Sequence, residues 1–393
     1  MGRHMTGRLR VLMLGGLVPW HPKAGGGQII AYEISEALAR AGHLIHYVAI
    51  APEEYQRAVD WGDITYVTSS PSLLASIPWA LQSVRRGHLD AYDIVHVHCG
   101  NETVNYCLAY AITRRITRKP RFTISIYAPR AYAFPRSVGE VITAFCCHSA
   151  DLIFCLSEFS KRDISRAYRV PTSRVVVTYA GVDSAFTANT SRRDRNEDDP
   201  YTLLFCGRLN GAHEQKGVDV LLKSLSLILG HHEVVLKVIG TGPRLRQYRA
   251  LAERLGVSEK VRFLGFVEHE EMPRHYQDAD LFVLPSRRES FGLVLAEAMA
   301  CGLPVVATTA GAIPQIVEDG VAGVLVPPDD PEALASAINS LLSDRPRMQA
   351  MGTAGAQRAR ECFTWDKVAE RVVRGYQRVM EIPWSTGATG KHR

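Results

Sequence analysis

No apolar run in the chain approaches the roughly 18 residues that a membrane-spanning helix needs. None of its eight cysteines forms a Cys-x-x-Cys pair, and the first residues carry no signal-peptide apolar core. Met1-Gly2-Arg3-His4-Met5 reads as a cloning scar, with Met5 as the expected start. Apart from the adjacent Cys146-Cys147, the cysteines are scattered. Most sit in apolar runs such as Ile153-Phe154-Cys155-Leu156, as expected of reduced core thiols in a cytoplasmic protein. A dense Lys/Arg stripe is also missing. A net charge of +6 does not demand nucleic acid and fits an anionic small ligand. What is present is ordinary globular material: 46% hydrophobic and 22% charged residues, which excludes a mainly disordered or fibrous chain. At 393 residues the chain is long enough for two domains, each with a full core.

Short apolar runs alternate with helical patterns. Strands are predicted at Leu9–Leu14, Leu44–Ile50, Ile94–His98, Phe122–Tyr127, Leu152–Leu156 and Val175–Tyr179. Between the first two lies a glycine loop, Gly25-Gly26-Gly27, and then Ile30, Ile34, Ala37, Leu38 and Ala41 at helical spacing. Thr190 to Pro200 has almost no apolar residue and reads as a linker. The alternation restarts with strands at Thr202–Cys206, Val234–Ile239, Val261–Leu264, Leu281–Leu284, Val305–Ala307 and Val324–Val326. A helix opens at Pro331 behind Asp329-Asp330, and another runs from Trp365 to Met380. The expected architecture is α/β, with two doubly wound Rossmann-like domains at 6–188 and 200–364. The helix over 365–382 has the option of crossing back to the first domain. Two such domains facing each other leave a cleft at the carboxyl ends of their strands, where ligands of open α/β sheets bind.

The strongest chemical signal runs from Pro285 to Pro304. Glu289 lies in a loop after a strand, a helix starts near Gly292, and Glu297 follows within it. The free amides of Phe291, Gly292 and Leu293 suit an oxyanion, and each carboxylate can accept two hydroxyl bonds. A phosphate flanked by polyols fits this pattern, as does a capped helix with a solvated Glu. Gly207-Arg208 directly follows a strand and Lys216-Gly217 opens the next helix. A guanidinium fork and a point charge suit a diphosphate, although a strand-end Arg is also an ordinary surface residue.

These stretches, with Ile239-Gly240-Thr241-Gly242-Pro243 and Phe263-Leu264-Gly265-Phe266-Val267, resemble glycosyltransferase family 4, the retaining GT-B group marked by E-x7-E. The agreement runs from about Leu203 to Leu341. The first half is similar more thinly, through the glycine loop, Gly42-His43, Leu156 to Lys161 and Gly181-Val182-Asp183. The resemblance implies that Arg208 and Lys216 neutralise a donor pyrophosphate and that Glu297 holds ribose hydroxyls. Glu289 would bind hydroxyls of the transferred sugar, beside Ser290 and the Phe291, Gly292 and Leu293 amides. Gly240 belongs to the same donor set, the Phe266-Val267 backbone would meet the base, and Gly26 and Gly27 would close on the phosphates.

Two departures stand out. Asn210 to Gln215 lengthens the usual Arg-to-Lys spacing, and Tyr127 stands where the family usually has His. His96 and His98 end another strand and point the same way, so His98 can line the cleft or be an ordinary buried His. Asp278-Ala279-Asp280 looks like a metal-binding D-x-D but sits at the entry to a strand, so no metal or other cofactor is expected. Arg114, Arg115, Arg118, Lys119 and Arg121 read as a helix end, with peripheral membrane contact not favoured.

The resemblance implies metal-independent, retaining transfer of a sugar from a nucleotide diphosphate donor to a hydroxyl acceptor. A UDP-sugar such as UDP-GlcNAc or UDP-glucose is favoured, with a small-molecule natural product or a glycan precursor as acceptor and no nucleic-acid partner. A nucleotide-sugar epimerase and a non-catalytic nucleotide-sugar-binding subunit remain the alternatives.

Overall fold

Valine-, isoleucine- and leucine-rich runs of four to eight residues become parallel strands. The central ones are covered on both faces: every residue of Ile94–His98, Arg121–Ser125, Leu281–Leu284 and Val305–Thr308 is buried. The computed structural model describes residues 7–21, 26–68, 78, 87–100, 103–117, 119–127, 138–187, 199–209 and 215–381. The chain divides into two units, Met1–Tyr179 with Trp365–Arg393, and Ala180–Thr364.

The first unit runs β1 (Arg10–Leu17), α1 (Gly26–Arg40), β2 (Leu44–Ile50), β3 (Asp63–Val67), β4 (Ile94–His98), α2 (Val104–Ile116), β5 (Arg121–Ser125), α3 (Val138–Ser149), β6 (Leu152–Cys155), α4 (Glu158–Tyr168) and β7 (Val175–Val177). Its sheet has the order β3-β2-β1-β4-β5-β6-β7. The second unit runs β8 (Tyr201–Cys206), α5 (Val218–Ile228), β9 (Val234–Ile239), α6 (Leu245–Arg254), β10 (Val261–Gly265), α7 (Met272–Gln277), β11 (Leu281–Leu284), α8 (Leu293–Ala300), β12 (Val305–Thr308), α9 (Ile313–Ile316), β13 (Gly323–Val326), α10 (Pro331–Leu342) and α11 (Arg345–Cys362). Its sheet has the order β10-β9-β8-β11-β12-β13. All pairings within both sheets are parallel. The last helix, α12 (Trp365–Glu381), packs in the first unit against α1 and β6. It buries Trp365, Val368, Ala369, Val372, Tyr376 and Val379, a helical stripe.

The structure differs from the sequence reading at several points. β3 is an additional strand. It lies at a sheet edge with no fully buried residue, so its apolar signal is diluted. β5 ends at Ser125 and β7 at Val177, which leaves Tyr127 and Tyr179 outside regular strand. The unit boundary falls after Tyr179, ahead of the predicted 188. Val182 bonds the Phe363 carbonyl at 2.7 Å, and Phe186 packs on Tyr276 with ring centroids 5.8 Å apart, so this segment is tied to the second unit. Of the predicted linker, Thr190 to Pro200, residues 190–198 lie outside the described residues.

Candidate active site

In each sheet the strand order reverses once, between β1 and β4 and between β8 and β11. The carboxyl ends beside such a reversal are where open α/β sheets hold ligands. In the second unit, hydrogen bonds continue past the strands there. Gly207 N donates to the Ile239 carbonyl (3.0 Å), Leu209 N to Thr241 (2.9 Å) and Gly240 N to Gly265 (2.7 Å). They set Gly207-Arg208, Gly240 and the chain entering Phe266-Val267 side by side. Gly240 has φ +133°, and a Cβ on it would run into the Gly207 carbonyl oxygen, so the approach requires glycine. Arg208 is exposed, and Phe266 is 63% exposed, a large aromatic surface in water at the edge of the β10 end.

On the other side of the reversal, Arg287 organises the loop after β11. Its guanidinium makes a two-bond fork to Asp219 at 2.9 and 2.8 Å and a third bond to Asp329 at 2.5 Å. Its amide donates to the Gln215 carbonyl at 2.7 Å. The start of α5 is thereby stitched to the β11 loop, and Lys216 Nζ meets Glu289 Oε2 at 2.6 Å. The Glu289 carbonyl also accepts from Ala312 N at 2.9 Å, which fixes its backbone. Burial acts on the Asp219 carboxyl in the upward direction, but the Arg287 bonds and charge outweigh it and hold the group below its usual range. Asn210 to Glu214, most of the lengthened spacing, lie outside the described residues.

Gly292 precedes α8 with φ +92°, a conformation that other residues rarely adopt. The amides of Gly292 and Leu293 take no backbone partner among the described residues, and the helix begins with Leu295 N donating to the Gly292 carbonyl at 2.8 Å. Ser290 and Phe291 lie in the same turn, and the Phe291 ring is buried edge-on against Phe363 at 5.6 Å. Glu297, one turn into α8, is 6% exposed, and its Oε2 accepts from the Tyr276 hydroxyl at 2.7 Å. Burial pushes this carboxyl up, while the Tyr276 bond pulls against it. Its Oε1 makes no hydrogen bond among the described residues, which leaves that oxygen for a ligand. The second unit thus brings together Arg208, Lys216, Glu289, Ser290 to Leu293 and Glu297 around one pair of strand ends. Chemically, it offers two cations and two amides for a polyanion, with carboxylates for hydroxyls.

In the first unit, Gly26 and Gly27 open α1, directly after residues outside the description that include Gly25. A Cβ on Gly27 would stand 3.3 Å from Tyr127 Cδ2. Tyr127 is half-buried, and its hydroxyl hydrogen-bonds His98 Nδ1. His98 is 5% exposed, and its ring stacks on His96 at 4.6 Å and 13°. Burial lowers the His98 pKa to about 3 and raises that of Tyr127, so both groups are neutral. The imidazole and the phenol that the sequence placed on separate strands therefore form one pair.

The discounted motifs have structural partners. Asp280 Oδ2 accepts from Thr202 N at 2.8 Å, at the amino end of β11 and away from the site. Arg114 and Arg121 both face Asp151, at 2.7 and 3.6 Å, and the Arg115 guanidinium lies 5.4 Å from the Phe145 ring centroid. Arg118 lies outside the described residues. No helix of the described chain is long and apolar enough to cross a membrane. The sequence reading missed Arg287, Asp219 and Tyr276. Arg287 stood within the strongest motif, but its acidic partners lie 68 and 42 positions away, and nothing in a linear pattern pairs them.

Comparison with known proteins divides the chain a few residues beyond the boundary of the two units, at 186. Residues 24–186 match the family model for glycosyltransferase family 4, and residues 187–358 match that for glycosyl transferases group 1. A D-inositol 3-phosphate glycosyltransferase of Xylanimonas cellulosilytica is 31% identical over 90% of this chain and 91% of its own. An uncharacterised glycosyltransferase of Methanocaldococcus jannaschii is 27% identical over 93% and 98%. Among solved structures, a sucrose-phosphate synthase of Thermosynechococcus elongatus superposes with a TM-score of 0.77 at 20% identity, covering 95% of this chain and 99% of that one. Anabaena HepE in complex with UDP-glucose gives 0.73 at 20% identity, covering 94% and 100%. At these identities the structural likeness establishes the fold.

Proposed function

The chain belongs to the GT-B glycosyltransferases of the family 4 type, and from that premise we propose that it transfers a hexosyl or N-acetylhexosaminyl group from a UDP-sugar to a hydroxyl acceptor with retention of configuration. The observation that carries the reading is the Lys216–Glu289 ion pair beside the Gly292 and Leu293 amides, which take no backbone partner among the described residues, with Arg208 on the neighbouring strand end. Arg208, Lys216 and the amides stabilise the pyrophosphate as it leaves. Glu289 holds Lys216 on one oxygen and accepts sugar hydroxyls on the other, and Glu297 accepts ribose hydroxyls through Oε1. The Phe266-Val267 segment meets the base. Charge on the sugar develops as an oxocarbenium-like ion, and the acceptor oxygen attacks from the face the pyrophosphate leaves. In this reading Gly26 and Gly27 belong with the donor phosphates, and His98 and Tyr127 meet substrate hydroxyls. The UDP preference draws on HepE, solved in complex with UDP-glucose, and the acceptor class on relatives named D-inositol 3-phosphate glycosyltransferase.

A panel of UDP-, GDP-, TDP- and ADP-sugars in a thermal-shift assay tests the donor. Ligand at 100 times its dissociation constant adds about 2.7 kcal/mol of stability. The UDP-sugars are expected to stabilise the chain, and no response to any nucleotide sugar would overturn the reading. Because side chains and amides supply the positive potential, turnover is expected to survive EDTA. Loss with EDTA and rescue by Mn²⁺ would contradict this mechanism. An anomeric product with the donor's configuration, read by NMR, supports retention, and the inverted anomer rejects it.

A further inference from the structure

Glu297 is a buried carboxylate with a single hydrogen bond among the described residues, from the Tyr276 hydroxyl to Oε2 at 2.7 Å. Tyr276, on α7, is itself fully buried. Its ring is clamped between Phe186, edge-on with centroids 5.8 Å apart, and Phe282 of β11 at 5.6 Å. Both phenylalanines are buried, and Phe186 also meets the His269 ring at 5.3 Å. Close packing on both sides fixes where the hydroxyl stands, so the bond to Glu297 is set by the core and not by a side chain free to change rotamer.

The chemistry of the pair fixes its direction. Burial holds the Tyr276 phenol well above its ordinary pKa, so it keeps its hydrogen. A carboxylate only accepts, and that hydrogen therefore goes to Oε2. Burial also raises the Glu297 pKa, and the Tyr276 bond acts against that rise by favouring the charged form. With Oε2 engaged by a rigid donor, the carboxylate is held in one orientation and Oε1 keeps both of its lone pairs. The 2′- and 3′-hydroxyls of a ribose are two neighbouring donors. A 2′-deoxyribose offers one fewer and leaves a buried charged acceptor short of a partner, the costly way to lose a hydrogen bond.

We propose that Tyr276 is a positioning residue for the donor ribose: from a ring clamped between Phe186 and Phe282 it holds the Glu297 carboxylate by Oε2, and so makes the site select a ribonucleotide over a 2′-deoxyribonucleotide. The proposal rests on the reading above that Glu297 accepts ribose hydroxyls.

The test is calorimetric titration of the full chain with UDP and with 2′-deoxy-UDP, read as the ratio of their dissociation constants. The wild type is expected to bind UDP about 30-fold more tightly, the worth of one hydrogen bond to a charged group. Tyr276→Phe should weaken UDP about ten-fold and 2′-deoxy-UDP about two-fold, so the ratio falls to about six. With a UDP-sugar, its KM should rise in step while kcat stays within about two-fold, because the ribose is remote from the bond that breaks. Tyr201→Phe is the control: it removes another tyrosine hydroxyl bond of the same unit, to the Leu342 carbonyl at 3.0 Å, and should leave the ratio unchanged. Phe186→Leu loosens the clamp but keeps the hydroxyl. It should lower the ratio by about two-fold, and it decides the matter should Tyr276→Phe not fold. Adding Tyr276→Phe to Glu297→Gln should change the ratio no further than Glu297→Gln alone. Equal weakening of both ligands in Tyr276→Phe, an unmoved ratio in Phe186→Leu, or a ratio that falls as far in Tyr201→Phe would each overturn the proposal and make Tyr276 scaffold. Failure of the premise looks different. If UDP binds but Glu297→Gln leaves the ratio unchanged, the ribose is held elsewhere and the proposal falls with that premise. If the wild type binds neither ligand, the nucleotide-sugar reading itself is rejected.

Discussion

The two units present opposite kinds of polar site. The second gathers formal charge, Arg208, Lys216, Glu289 and Glu297, and the Arg287–Asp219–Asp329 cluster ties the Lys216 and Glu289 segments together. The first gathers neutral groups in two hydrogen-bonded sets, His96 with Ser125 and Tyr376, and His98 with Tyr127, with no ion pair among the described residues. The difference matches two chemical tasks. A leaving pyrophosphate carries full charge and rewards fixed cations, which act most strongly where water is excluded. A sugar or acceptor hydroxyl is neutral and is selected by which partner donates and which accepts.

The largest expected effect lies on the charged side. Arg208→Ala strips a guanidinium fork from the leaving group and is expected to slow turnover by about 10²–10³. Lys216→Ala is expected to cost less, since Lys216 already shares its charge with Glu289 at 2.6 Å. Near-normal turnover of the Arg208 variant would remove the assignment of the phosphate site to this strand end.

The Arg287 cluster separates scaffold from chemistry on that same side. Asp219→Asn is expected to lower stability by about 2 kcal/mol, the worth of a hydrogen-bonded charge. Asp219 is held below its usual range in the folded chain, so its contribution is present above the unfolded pKa, about 3.9. It is lost as pH falls through the folded value, and the gap between wild type and variant should therefore be full at pH 7 and shrink below about pH 4. Urea midpoints across that range check this. A gap independent of pH would mean that packing, not the ion pair, is what Asp219 supplies.

The contrast also explains what could be read from the sequence. The charged site is legible because its parts lie in local patterns at strand ends. Gly207-Arg208, Lys216-Gly217 and the Glu289 to Glu297 stretch each occupy one strand-loop-helix step. The neutral array is nearly illegible: His96, Ser125 and Tyr376 are 29 and 280 positions apart, and none is unusual in its own segment. Tyr127 stands out in the sequence only as the residue in place of an expected His, and its bond to His98 follows from β4 and β5 being neighbours, a fact of topology. The same holds for the fold. Central strands such as β4 and β11 read correctly because both faces are buried and mostly apolar, whereas the edge strand β3, half in water, did not. Which unit takes Val182 to Phe186 was decided by contacts to Phe363 and Tyr276, long-range partners that no window shows.

The smallest expected effect lies on the neutral side, at Tyr127. Tyr127→Phe keeps the ring against Gly27 but removes the hydroxyl from His98 and substrate. The loss should be that of one neutral hydrogen bond, about 1 kcal/mol or several-fold in kcat/KM. Tyr127→Ala should cost more, because the ring is lost as well. Neither group should titrate in the working range. His98 sits at about 3, below any useful pH, and burial raises Tyr127 above its ordinary phenol value. Each stays neutral through neutrality, so between about pH 5 and 9 the rate should show no limb that vanishes in Tyr127→Phe or His98→Gln. A limb near pH 6 to 7 that disappears with His98 would make that imidazole a proton carrier and its site far wetter than its 5% exposure implies. A several-fold loss in Tyr127→Phe with a flat profile would instead assign the phenol to hydroxyl recognition. If melting temperature falls in Tyr127→Ala while kcat of the folded enzyme stays intact, the ring is core and the neutral array ends before it reaches substrate.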